Sequence, residues 1–206
     1  MIASTAIIYK NVRLGKNVIV EDHCVVGCPP SGKEDGELET FIGDGSHIRV
    51  GTIIYAGNTI GENFQTGNKA NIRELNNIGN NVSVGTLSVV EHHVEIEDDV
   101  RIHTQVFIPE FTTLRRGAWL GPNVVCTNAM YPKSPGVKDN LVGPEIMEGA
   151  IIGANSTLLP GVKVGANSIV GAGSVVTKSV EEGVVVCGNP ARKIKNKTQL
   201  PYGQGL

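Results

Sequence analysis

Residues Ile72 to Ile108 read IRELNN IGNNVS VGTLSV VEHHVE IEDDVR IHTQVF I, and an aliphatic side chain opens every group of six. The period extends outward in both directions. Ile42, Ile48, Ile54, Ile60 and Thr66 precede this stretch, and Leu114, Leu120 and Cys126 follow it. Thirteen of these fifteen positions are Ile, Leu or Val, so the register never slips. Helices repeat at about 3.6 residues and strands at about 2, and neither alone produces a strict six. Two shorter runs share the period: Ile2, Ile8, Leu14, Val20, Val26 near the start, and Ile146, Ile152, Leu158, Val164, Val170, Val176 toward the end.

Four residues after each aliphatic sits a small or β-branched residue, as at Val82, Ser88, Val94, Val100 and Val106. Glycine often follows the aliphatic directly, as at Gly43, Gly61, Gly79, Gly121 and Gly165. Each hexad therefore reads as a short strand and a corner, with these glycines expected to supply the positive φ of the corner. Aromatics make up only 4% of the chain while Gly numbers 26, which favours a narrow repetitive interior over a bulky core.

The formal charge of −2 provides no basic field for nucleic acid or an anionic membrane. The stretch Met1–Lys10 lacks a basic region followed by a long apolar run, and no window is apolar enough to span a bilayer, so a cytoplasmic location is expected. Cys24, Cys28, Cys126 and Cys187 are expected to be reduced and mostly buried; a Cys24–Cys28 metal or redox pair lacks the second pair of a zinc site.

The hexads resemble the hexapeptide-repeat superfamily over nearly the whole chain. The resemblance implies an all-β fold, a left-handed parallel β-helix with three hexads per triangular coil, and the hexad count then implies about eight coils. Left-handedness comes from the resemblance alone, because parallel crossovers are ordinarily right-handed. The β-helix is expected over residues 1–181, with loop insertions at about 27–41 and 129–145, and residues 182–206 form a capping, cofactor-contacting tail. Gly188-Asn189-Pro190-Ala191-Arg192 resembles the terminal motif of hexapeptide acyltransferases, beside the nucleotide part of coenzyme A. Lys193, Lys195 and Lys197 suit its phosphates, or else belong to a solvated tail.

With three hexads per coil, residues eighteen apart stack. Glu74, His92, Glu110 and Asn128 then share one corner, with Arg73, Glu91, Pro109 and Thr127 beside them. At a strand spacing of ~4.8 Å, His92 and Glu110 are expected to hydrogen-bond, the arrangement wanted of a general base. A plain surface ladder is the alternative, weakened because the second insertion leaves directly after Asn128. His93 is expected at the surface, His103 is held in reserve on another corner, and His23 and His47 lack a supporting column.

Asn71-Ile-Arg-Glu74, Glu91-His-His93, Ile108-Pro-Glu110 and Gly121 to Asn128, with Tyr131-Pro132, resemble one branch of the superfamily, the nucleotide-sugar N-acetyltransferases. Cys126 and Ala129 depart from its pattern. The resemblance implies transfer of acetyl from acetyl-CoA to a nucleotide-linked amino sugar by a homotrimer, with no metal. It places His92, Glu110 and Asn128 in the catalytic pocket, with Asn71, Arg73, Glu74 and Tyr131 around the acceptor. Gly153, Ala154, Gly171, Ala172, Pro190, Arg192 and Lys195 are placed along the cofactor, the small residues letting backbone amides approach it. An O-acetyltransferase acting on a sugar or serine hydroxyl is the enzymatic alternative, and a non-catalytic prism the alternative of another class. The histidine spacing of a zinc-bearing carbonic anhydrase prism is missing.

Overall fold

The computed structural model describes residues 1–201, so the last five residues of the expected 182–206 tail lie outside it. Among the described residues, three sheets form the faces of a triangular prism. The first face has nine strands, from Ile7–Ile8 to Val175–Val176, and the second has eight, from Val12–Leu14 to Lys163–Val164. The third has ten, from Ile19–Val20 to Arg192–Asn196. The chain visits the three faces in turn, so every parallel neighbour on a face is one coil away. Pairing is parallel throughout, except where Val184–Cys187 meets Arg192–Asn196. Val184–Cys187 also pairs with Ile169–Val170, so the third face continues past residue 181.

Most strands are two residues long, one facing out and the next in. Val90, Ile108, Leu120 and Ile152 are fully buried in this way, and each such side chain contributes roughly 1.5–3 kcal/mol before ordering entropy. The corners take their left-handed residue three positions after the aliphatic, at Leu75, His93 and Phe111 among others. Although Gly27 after Val26 has positive φ, Gly43, Gly61, Gly79, Gly121 and Gly165, directly after the aliphatics, do not, contrary to the sequence expectation. Their role is close stacking: a Cβ on Gly79 would lie 2.7 Å from the Asp98 backbone nitrogen, and one on Gly85 2.4 Å from the His103 backbone carbon. Glycine there lets one coil lie flat on the next.

Candidate functional site

The edge between the first and second faces carries the column expected to be chemical. Asn71–Ile72, Val89–Val90, Phe107–Ile108 and Val125–Cys126 stack in register and deliver Glu74, His92, Glu110 and Asn128 to successive turns. Asn128 Nδ2 donates to Glu110 Oε2 at 2.7 Å. His92 Nε2 lies 3.5 Å from Glu110 Oε1, an ion-pair distance longer than the expected hydrogen bond. The other ring nitrogen of His92, Nδ1, lies 2.8 Å from Nδ1 of His93. His93 is exposed, as expected, yet it is coupled to the column.

Arg73 anchors the N-terminal end. Its Nε and Nη2 each donate to Glu74 at 2.8 Å, its Nη1 reaches Glu91 at 3.2 Å, and its guanidinium carbon lies 5.2 Å from the Tyr55 ring centre. Glu74 is only 9% exposed. Burial works to raise its pKa, but the Arg73 hydrogen bonds prevail and hold it below the ordinary carboxylate value. The Arg73 pKa is raised in turn, chiefly by Glu74. Two interior asparagines fix this turn from below. Asn58 Nδ2 and Asn76 Nδ2 both donate to the Arg73 carbonyl at 2.8 Å, and Asn76 Oδ1 accepts the Val94 amide at 2.8 Å. Asn71, on the adjoining strand, has a buried Oδ1 with no hydrogen-bond partner among the described residues.

Both insertions leave from this same edge. The chain departs after the first-face strand Val25–Cys28 and returns at the second-face strand Thr40–Ile42; it departs again after Val125–Cys126 and returns at Glu145–Ile146. The column lies between the two excursions. Tyr131, in the second loop, is 73% exposed.

The residues expected along the cofactor lie on a different edge, between the third and first faces. Gly153 and Gly171 stack there, below the turn from Cys187 to Ala191. Their amides already donate to Val170 O and Val186 O, both at 2.8 Å, so these two N–H groups are not free for a ligand. A Cβ on Gly153 would meet the Ala172 nitrogen at 2.4 Å, which makes this glycine a stacking requirement. Pro190 lies in the turn at this edge and Arg192 stands opposite Cys187, whereas Lys195 lies opposite Val185 on the third face; Arg192 and Lys195 are exposed. The first face therefore separates the two sets of predicted residues within one protomer.

Residues 143–178 match the family model described as bacterial transferase hexapeptide (six repeats). Over 136 residues the chain is 33% identical to the galactoside O-acetyltransferase of Lactococcus lactis subsp. lactis, covering 62% of this chain and 60% of that protein. Over 51 residues it is 53% identical to the 2,3,4,5-tetrahydropyridine-2,6-dicarboxylate N-acetyltransferase of Clostridium perfringens, covering 25% and 22%. The UDP-N-acetylglucosamine acyltransferase of Campylobacter jejuni superposes with a TM-score of 0.71 at 16% identity, over 99% of this chain and 78% of that one. The chain has the left-handed β-helix fold, built on six-residue repeats. It spans 60% or less of the length of the first curated relatives it matches.

The hexapeptide-repeat prism also pairs groups that reading at eighteen-residue steps misses. His47 Nε2 lies 2.7 Å from Glu21 Oε1, a closer carboxylate than His92 has, which corrects the expectation that His47 is unsupported. The first insertion lengthens the step between their strands, pairing Ile19 with His47, and so hides the stack. His103 packs on Trp119 with ring centres 4.6 Å apart and receives a 3.2 Å hydrogen bond from Arg101; burial, then Arg101, lowers its pKa. Cys126 is fully buried and its thiol is pushed up to about 12, so it is inert at neutral pH. Among the described residues no three His, Cys, Asp or Glu side chains gather as a metal site, and no helix is long and apolar enough to cross a membrane.

Proposed function

We propose that the protein transfers an acetyl group from acetyl-CoA to the amino group of a nucleotide-linked amino sugar, acting as a homotrimer. The carrying observation is the His92, Glu110 and Asn128 column on an acidic edge. Three carboxylates, Glu74, Glu91 and Glu110, share that edge with one guanidinium, which already bonds Glu74 and Glu91. Glu110 is left to attract a cationic acceptor, and an ammonium sugar fits this field better than a neutral alcohol. Once neutral, the amine attacks the thioester carbonyl, the carbon–sulfur bond breaks and coenzyme A leaves as the thiol. Orientation supplies much of the acceleration, and a placed base adds about 10²–10⁴-fold.

The separation of the two predicted residue sets supports the trimer. Between their edges the first face presents Ile53, Val89, Phe107 and Val125 outward, flanked by exposed Leu75, Leu87 and Phe111. Covering this apolar face with a second copy in a closed ring sets the His92 edge of one protomer against the glycine edge and tail cations of the next. Arg192 and Lys195 then suit the cofactor phosphates.

A second reading, transfer to a sugar hydroxyl, is favoured by the galactoside O-acetyltransferase relative, which matches over more of this chain than the N-acetyltransferase does. A hydroxyl also needs a base more than an amine does. The test measures thiol release from acetyl-CoA with dTDP- and UDP-linked amino sugars, galactosides and serine. Release with the amino sugars alone supports the main reading, and release with hydroxyl acceptors alone replaces it with the second. No release and no heat of coenzyme A binding return the protein to a non-catalytic prism.

A further inference from the structure

His93 occupies the left-handed turn position after His92, with φ 57°, and its ring is exposed. Its Nδ1 lies 2.8 Å from His92 Nδ1. Two ring nitrogens at that distance share one proton, so one donates and the other accepts. The partner groups decide which. His92 Nε2 faces the Glu110 carboxylate at 3.5 Å, and a carboxylate only accepts. His92 therefore carries its own proton on Nε2 and turns a lone pair toward His93, and the shared proton belongs to His93 Nδ1. One nitrogen of His92 bonds His93 and the other faces Glu110. The nitrogen left with a free lone pair is His93 Nε2, on the outer side of the pair.

The surroundings hold this arrangement. Phe111 packs on both rings, with centroid distances of 6.3 Å to His92 and 5.8 Å to His93. Asn128 fixes the far oxygen of Glu110 at 2.7 Å. Glu74, the other carboxylate with an electrostatic influence from His92, is held by Arg73, as is Glu91. Histidine is among the few side chains other than glycine enriched in the left-handed region.

Building on the acyl-transfer reading, we infer that His93, through Nε2, is the base that meets the acceptor, and that His92 is a positioning residue linking it to Glu110. As the acceptor nitrogen or oxygen bonds to the thioester carbon, its proton passes to His93 Nε2. The carbon–sulfur bond then breaks, and the departing sulfur recovers that proton as the thiol. While His93 is cationic, its Nδ1–H still donates to His92, whose Nε2–H still faces Glu110. The positive charge thus forms at the end of a chain that terminates in a carboxylate, and no ring has to turn.

The test combines ring nitrogen NMR of the full-length protein with kinetics of two variants. In the neutral wild type, His93 is expected to show a protonated Nδ1 and a bare Nε2, and His92 the reverse. His93→Asn suits the turn, because asparagine holds the same left-handed position at Asn63, Asn81 and Asn123. It is expected to lower kcat by about 10²–10⁴-fold, with the acceptor KM within about twofold. His92→Asn is expected to lose about tenfold, in keeping with one orienting hydrogen bond. A protonated Nε2 on His93, or a fully active His93→Asn beside an inactive His92→Asn, overturns the inference. Absence of thiol release from the wild type overturns the transfer reading itself, while the ring spectra still decide the pairing.

Discussion

Two edges of the prism carry polar ladders at the same eighteen-residue step, and their hydrogen bonds run to different partners. On the edge between the second and third faces, one column of side chains serves the backbone and the column beside it only ties coil to coil. Asp98 Oδ1 accepts the Asn80 amide and Asn80 Oδ1 accepts the Glu62 amide, both at 2.8 Å, while Asn63, Asn81 and Asp99 link side by side at 3.0 Å. On the edge between the first and second faces, side chains meet one another, as in Arg73 with Glu74 and Glu91, His92 with His93, and Asn128 with Glu110. A ladder that spends its polar atoms on the next coil's amides holds the coils together. A ladder whose side chains bond each other leaves polarised groups at the surface, available to a substrate.

This contrast is open to direct attack. Of the changes that compare the two edges, the largest effect is expected from Glu110→Ala, which removes the carboxylate that faces His92 and accepts from Asn128. Turnover should fall by about tenfold, as for His92→Asn, while the thermal midpoint moves by no more than about 2 °C. A large loss of stability with unchanged turnover would show that this edge, too, is structural. Asp98→Ala on the other edge should behave oppositely. Its loss leaves the Asn80 amide without its acceptor and Arg116 without its 3.6 Å partner. About 1–2 kcal/mol of stability and ~2–8 °C in Tm should disappear, with thiol release unaltered.

A smaller effect is expected on acidification. Glu97 and Glu145 on the second face are held below the ordinary carboxyl value of 4.5, in both cases first by hydrogen bonds from Arg115. A carboxyl with a depressed folded-state pKa contributes stability that is present above its unfolded value and lost as pH falls through the folded one. The thermal midpoint should therefore be flat from neutrality to about pH 5 and decline below the unfolded carboxyl value. Because both groups are partly exposed, the decline should be shallow and reduced further by salt. A midpoint that drops between pH 7 and 5 would point instead to buried titrating groups.

The period was plain in the sequence because every interior position meets the same constraint: a narrow prism accepts Ile, Leu or Val in each coil. The composition of the column was legible for the same reason, since a constant step places Glu74, His92, Glu110 and Asn128 on one edge. The glycine reading erred because spacing cannot separate a residue needed for φ from one needed for lack of a Cβ. Gly79 and Gly85 are of the second kind. The Glu21–His47 pair was hidden because an insertion changes the step without changing the stacking. Asn58 and Asn76 carried a weak signal, polar residues at interior positions, but the Arg73 carbonyl they hold becomes visible only once the turn is built.

The sequence by itself determined the hexad register, because the repeat is enforced locally at every strand, and its resemblance to a known superfamily supplied the three-sided coil from which the residues sharing each edge follow. Only the tertiary structure decided how those residues bond. It lengthened the His92 to Glu110 contact, joined His92 to His93, brought both insertions to one edge and set the predicted cofactor residues on another. The physical reason is that a repeat fixes which side chains are neighbours, whereas hydrogen bonds depend on ring and carboxylate orientations within the turns. Those orientations differ from coil to coil even where the backbone does not.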